Sequence, residues 1–177
     1  PPIIRYEDAK QFFDKHVMPE VLFDVTPPLT SFVGRTTELE QLQTKLFESG
    51  NCIIAQQVNV SGLGGIGKTQ LAKRFIEKNK EKFYNRVIWI NAETIKSVSS
   101  SFKSLVIHLN LWKDHLDKLK EPQKTKILIE KVVEYFKNAS VLIVFDNVEK
   151  LTKGDVNYVK YFREKIKVLK ENHKIYI

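Results

Sequence analysis

Residues 61–69 read Ser-Gly-Leu-Gly-Gly-Ile-Gly-Lys-Thr. Gly62, Gly67, Lys68 and Thr69 fit the spacing of a loop that wraps phosphates. Four of the seven glycines in the chain lie here, Gly62, Gly64, Gly65 and Gly67. Without a Cβ, backbone N–H groups can turn inward and approach a phosphate closely. Lys68 offers a point charge to β- and γ-phosphates, and Thr69 offers a hydroxyl to Mg²⁺. The pattern has meaning only between a strand and a helix whose positive end faces the phosphates.

Both neighbours are legible. Cys52-Ile53-Ile54-Ala55 followed by Val58-Asn59-Val60 predicts a buried strand before the loop. After it, Leu71, Ala72, Phe75 and Ile76 fall at helical spacing, with Lys73, Arg74, Glu77 and Lys78 on the other face.

Further out, strands and helices alternate. Phe32-Val33-Gly34-Arg35 precedes a helix with Thr37 as expected N-cap, Glu40 completing a capping box, and Leu39, Leu42 and Leu46 along one face. Arg86–Asn91 reads as a second strand, and Val98, Phe102, Leu105, Val106 and Leu109 as the helix after it. Pro122 fits the first turn of another helix, whose apolar face includes Ile127, Leu128, Val132 and Phe136. Val141–Phe145 is apolar throughout, as a strand covered on both faces should be. Val156, Val159, Phe162, Ile166 and Leu169 mark a last helix, and Lys174–Ile177 starts a fourth strand. The expected fold class is α/β, a phosphate-loop nucleoside triphosphatase with a parallel sheet flanked by helices on both faces and cut short on its C-terminal side.

Residues 1–31 read as a lead-in or the end of a preceding domain, with 32–177 as the nucleotide-binding domain. In the lead-in, Phe12, Phe13, His16 and Val17 predict a short amphipathic helix ended by Pro19, and Pro27-Pro28 an extended stretch. The chain begins with Pro1 rather than Met, which predicts a piece of something longer. At 177 residues and 42% hydrophobic content it is long enough for one sizeable core. No apolar run is long enough to cross a bilayer. The single cysteine, Cys52, rules out an internal disulfide and fits a reducing, cytoplasmic setting. The net charge is +8, but the lysines are scattered among glutamates, which predicts solvated faces rather than a nucleic-acid surface.

Asp146 ends the third apolar strand, where ligands of open α/β sheets bind. Its carboxylate there would hold Mg²⁺ through Thr69 or water, the alternative being a helix-cap or turn residue, since Asp-Asn is common in turns. Asn147 follows it, and an amide orients water but cannot take its proton. Glu149 is the nearby carboxylate that would either fill that role or cap the next segment.

Four stretches in one order, Phe32–Arg35, Gly62–Thr69, Val87–Ala92 and Leu142–Val148, resemble the nucleotide-binding domain of the NB-ARC type. This group belongs to the signal-transducing STAND ATPases, which include plant disease-resistance proteins of innate immunity and animal apoptosis-activating factors. The resemblance implies a switch between an ADP-bound closed state and an ATP-bound open state that oligomerises and engages a downstream signalling protein. It implies that Val33 and Arg35 contact the adenine and ribose side. It implies that Gly62, Leu63, Gly64, Gly65, Ile66, Gly67, Lys68 and Thr69 hold the phosphates, with Gln70 next in the helix. Thr69 and Asp146 carry over as Mg²⁺ residues. Asn147 departs from the family's usual second Asp, so slow hydrolysis is expected. Two other readings stand beside the switch: a nucleic-acid-stimulated ATPase, and a scaffold whose nucleotide never turns over.

Overall fold

Two long apolar stretches of this chain lie side by side as parallel strands, Arg86–Asn91 and Leu142–Asp146. A third strand, Val21–Phe23, pairs in parallel with the first of them. In chain order these are β1 (Val21–Phe23), β2 (Arg86–Asn91) and β3 (Leu142–Asp146), neighbours in the order β1-β2-β3. Six α-helices accompany them among the described residues: α1 (Tyr6–His16), α2 (Thr36–Glu48), α3 (Ile66–Asn79), α4 (Ile95–His108), α5 (Gln123–Tyr135) and α6 (Tyr158–Lys167). The computed structural model describes residues 6–48, 66–148 and 157–167. The expected strand over Cys52–Val60, loop residues Gly62–Gly65, Glu149, Val156, Leu169 and the strand at Lys174–Ile177 lie outside the described residues.

Side chains along a strand alternate between faces, so an all-apolar strand feeds two cores at once. On one face Val87, Trp89, Leu142 and Val144 pack with Leu39, Leu42 and Leu46 of α2 and Leu71, Phe75 and Ile76 of α3. On the other, Ile88, Ile90, Ile143 and Phe145 pack with α4, α5 and α6. Phe102 sits 6.2 Å from Phe145 and 5.8 Å from Phe162, and Phe145 lies 5.2 Å from Phe162, ring centroid to centroid. Those three rings knit α4, β3 and α6. The result is the expected parallel sheet with helices on both faces.

A local signal sets the start of α4. Thr94 caps α4: its hydroxyl accepts the Ser97 N–H, and the Ser97 hydroxyl accepts the Thr94 N–H. The start of α2 differs from expectation. The Leu39 N–H bonds the Arg35 carbonyl, so Arg35 takes the N-cap place and Thr37 lies inside the first turn. The reason is backbone conformation: Gly34 (φ +80°) and Arg35 (φ +54°) turn the chain straight into the helix. Pro122 stands just before the first residue of α5 rather than within its first turn.

The lead-in departs most from a simple amphipathic reading. Phe12, Phe13 and Val17 of α1 and its C-terminal end are exposed, at 62, 40 and 55% of full accessibility. Asp14 of α1, a carboxylate, is buried against Arg86 at the start of β2. The Arg86 guanidinium also donates to the carbonyls of Asp14, Met18, Pro19 and Ser140. Every one of its N–H donors is used. Asp14 in turn accepts the Ser140 N–H at 3.0 and 3.1 Å. The segment before residue 32 is therefore built onto the sheet, first by this ion pair and then by β1.

A polar knot ties the first turns of α4, α5 and α6. Ser99 donates to Glu121 Oε1 at 2.8 Å, while Thr125 and Tyr158 donate to Glu121 Oε2 at 2.7 and 3.1 Å. Burial raises the Glu121 pKa, but the hydrogen bonds from Thr125, Ser99 and Tyr158 outweigh it, leaving the carboxyl below its ordinary 4.5. A folded pKa held below the unfolded one stabilises the fold above the unfolded value, and this is lost as pH falls. Melting temperature should therefore drop as the pH falls through 4.5 toward the lowered folded value, and Glu121→Gln should flatten that part of the profile. Parallel profiles for the two proteins would show the knot contributes nothing to acid sensitivity.

Candidate nucleotide-binding site

α3 begins at Ile66, so Gly67, Lys68 and Thr69 of the motif lie in its first turn. Four backbone N–H groups at the start of a helix have no intrahelical acceptor and carry partial positive charge. That end of α3 is thus suited to an anion. Lys68 is exposed there, and Thr69 and Gly67 are half-buried.

Thr69 meets the other half of the sequence motif. Its hydroxyl donates to Asp146 Oδ1 at 3.0 Å, across 77 residues of chain. Asp146 closes β3, and its carbonyl accepts the Ala92 N–H at 2.8 Å just beyond β2. The ends of β2 and β3 are thereby locked together at the carboxyl edge of the sheet. Asp146 Oδ1 also accepts the Asn147 N–H at 3.1 Å. Asn147 sits in the left-handed region, φ +66°, a conformation asparagine tolerates better than most residues. Its identity thus has a backbone reason besides any chemical one.

Thr69 and Asp146 suit a small hard cation. Mg²⁺ takes oxygen ligands in an octahedron at about 2.0–2.1 Å, which puts neighbouring ligand atoms about 2.9 Å apart. The observed oxygen pair is 3.0 Å apart. A hydroxyl and a carboxylate are also the donor types such an ion prefers.

The segment bearing Val33 and Arg35 lies along the same helix. Gln70, buried, accepts the Leu29 N–H at 2.7 Å through its side-chain oxygen. Arg74, one turn on, donates to the Phe32 carbonyl at 2.8 Å and pairs with Glu77 at 2.5 Å. Between them a tight turn closes with the Phe32 N–H on the Leu29 carbonyl at 3.0 Å. Val33 projects from it, 80% exposed. The Arg35 guanidinium lies 5.9 Å from the Phe32 ring centre and 4.0 Å from Glu38. The sequence pattern puts Arg74 on the face opposite the apolar one; the fold gives it a backbone carbonyl there. Nothing in residue spacing reveals that bond, because Phe32 is 42 residues away.

The structure brings together Thr69 and Asp146, with Lys68 and Gln70 beside them on α3 and Val33 and Arg35 on a segment tied to that helix. Gly62, Leu63, Gly64 and Gly65 are outside the described residues. A parallel sheet covered on both faces, a Gly-Lys-Thr helix start and a strand-ending carboxylate bonded to that threonine define a phosphate-loop nucleotide-binding domain.

Within that class the chain belongs to the NB-ARC family: the NB-ARC domain matches residues 35–169. It is similar to three Arabidopsis thaliana proteins, "Probable disease resistance protein RF45", "Probable disease resistance protein RDL5" and "Probable disease resistance protein RF9". Each is 26% identical over 128 residues, covering 67% of this chain and 11% of the relative's length. The chain thus spans a small part of the curated relatives it matches. No solved structure matches it significantly. Among the described residues, no helix is long and apolar enough to cross a membrane.

Proposed function

We propose that this domain is an adenine-nucleotide switch of a signalling protein, binding ATP or ADP with Mg²⁺ and hydrolysing ATP slowly. In the intact protein the ATP-bound state would favour self-association and contact with a downstream partner in the cytoplasm, in a defence response like that named for its relatives. The observation that carries this reading is the Thr69–Asp146 hydrogen bond at the start of α3. Thr69 and Asp146 would hold Mg²⁺, which when bound neutralises charge on the phosphates. Lys68 would add a second positive charge, and the N–H groups at the start of α3 would donate to phosphate oxygens. Asn147 can orient a water but cannot accept its proton, which supports slow turnover.

The test is to purify the intact protein without added nucleotide, denature it, and identify what is released by chromatography and mass. Stoichiometric ADP is the expected result, as a switch that retains its product would give. An empty site in folded protein would count against the switch.

A nucleic-acid-stimulated ATPase is favoured by one feature that the sequence did not display. Lys103 and Lys124 flank Trp112 at 5.1 and 5.3 Å from the ring centre, and Lys126 and Lys165 flank Tyr161 at 5.3 and 5.2 Å. The fold thus gathers lysines and aromatics that are dispersed along the chain. Lys124 and Lys165 are paired with Asp117 and Glu130, however, which reduces the charge available to a phosphate backbone. Turnover measured with and without DNA or RNA separates the two readings.

A further inference from the structure

The turn at 29–32 is fixed at both ends to one face of α3. Gln70 takes the Leu29 N–H at the entrance, and Arg74 gives a hydrogen bond to the Phe32 carbonyl at the exit. These residues stand four apart, so they share a helix face. Phe32 packs on the core shared by α2, α3 and the sheet, which leaves the turn little freedom to shift. Beyond it, Gly34 and Arg35 occupy the left-handed region, where neither residue reads as part of a strand or helix. The direction in which Val33 and Arg35 leave the turn is set by its two anchors on α3. The same helix carries Thr69, bonded to Asp146, immediately before Gln70. One helix turn therefore links the phosphate end of the site to the segment that carries Val33 and Arg35.

We propose that Gln70 and Arg74 are positioning residues that hold the 29–35 segment against the base and ribose side of a nucleotide seated at the start of α3. On this reading the Gln70 side-chain oxygen acts on the nucleotide through Leu29, whose backbone N–H it accepts. This differs from a role for that side chain as a phosphate ligand. The inference rests on the adenine-nucleotide reading of the site, and it adds a mechanical coupling between phosphate contacts and base contacts.

The experiment compares ADP with inorganic diphosphate as ligands of the intact protein by calorimetry, both with Mg²⁺. Wild type is measured beside Gln70→Leu, which keeps the side-chain volume but loses the acceptor, and Arg74→Met, which keeps the stem but loses the donor. Melting temperature without nucleotide checks that each variant is folded. Each variant should weaken ADP about tenfold, the effect of one lost hydrogen bond passed on through the segment, and leave diphosphate unchanged. Arg74→Lys, which retains a donor, should recover part of the ADP affinity. Equal losses for ADP and diphosphate would make these residues phosphate ligands or general supports, and unchanged ADP affinity would remove the coupling; either overturns the inference. Wild type that binds neither ADP nor diphosphate would overturn the nucleotide reading itself. Should Gln70→Leu fail to fold, the Arg74 pair decides the question alone.

Discussion

Replacing Lys68 with alanine is expected to weaken ADP and ATP binding by at least about a hundredfold while leaving the fold intact. The side chain is exposed on the first turn of α3, so its loss opens no cavity in the core. Surface substitutions of this kind change stability by within about 0.5 kcal/mol. The binding loss is large because a phosphate chain brings several negative charges to one place. The helix start offers partial charges, but Lys68 offers a whole one next to them. Thermal shift with and without Mg-ADP reads both effects at once. The variant should melt where the nucleotide-free wild type melts and should show no shift on adding Mg-ADP. An undiminished shift would take Lys68 out of the site.

The second large effect concerns stability. Arg86→Met should destabilise the protein by about 3–5 kcal/mol, because it leaves the Asp14 carboxylate buried without its cation. Against a total stability of about 5–15 kcal/mol for a domain, that is a large share. Arg86 is 1% exposed, and the Asp14 side chain is 11% exposed. Asp14→Leu should cost a similar amount, since the buried guanidinium then loses the carboxylate that balances its charge and keeps only carbonyl acceptors. The double variant should cost less than the two singles added together, because two apolar residues can fill the space with no unpaired charge. Urea denaturation of all four proteins measures this. Single-variant losses below about 1 kcal/mol would mean that α1 and the turn after it are not held by this pair.

The expected outcomes differ in how far the sequence foresaw them. Lys68, Thr69 and Asp146 were readable because each stands at a fixed place in a local pattern: a glycine loop before a helix, or a carboxylate after an apolar strand. β2, β3 and the inward faces of α3, α4 and α5 were readable for the same kind of reason. Val87 to Ile90 and Leu142 to Phe145 are apolar at every position because both faces are covered. Leu71, Phe75 and Ile76 repeat at helical spacing because one face is. Burial imposes a period on the chain, and a period survives in the sequence.

Other features left no such trace. β1 is three residues long, too short to display alternation, and it exists as a strand through pairing with Arg86, Val87 and Ile88. In α1 the apolar residues suggested the inward side, whereas Phe12 and Phe13 are exposed and Asp14 is buried in an ion pair with Arg86. Asp14 and Arg86 are 72 residues apart, and Gln70 and Leu29 are 41 apart. Such bonds depend on where two distant segments come to rest, and neither residue changes its neighbours' pattern in doing so. The class of fold was legible from spacing alone, as were the Gly-Lys-Thr start of α3 and the strand-ending carboxylate that bonds its threonine, because local geometry and burial impose a pattern on neighbouring residues. How the lead-in attaches to the sheet, that Asp14 and Arg86 are buried together, and that Gln70 and Arg74 bond the 29–32 turn became visible only in three dimensions. Those depend on pairing across the chain, which no local period records.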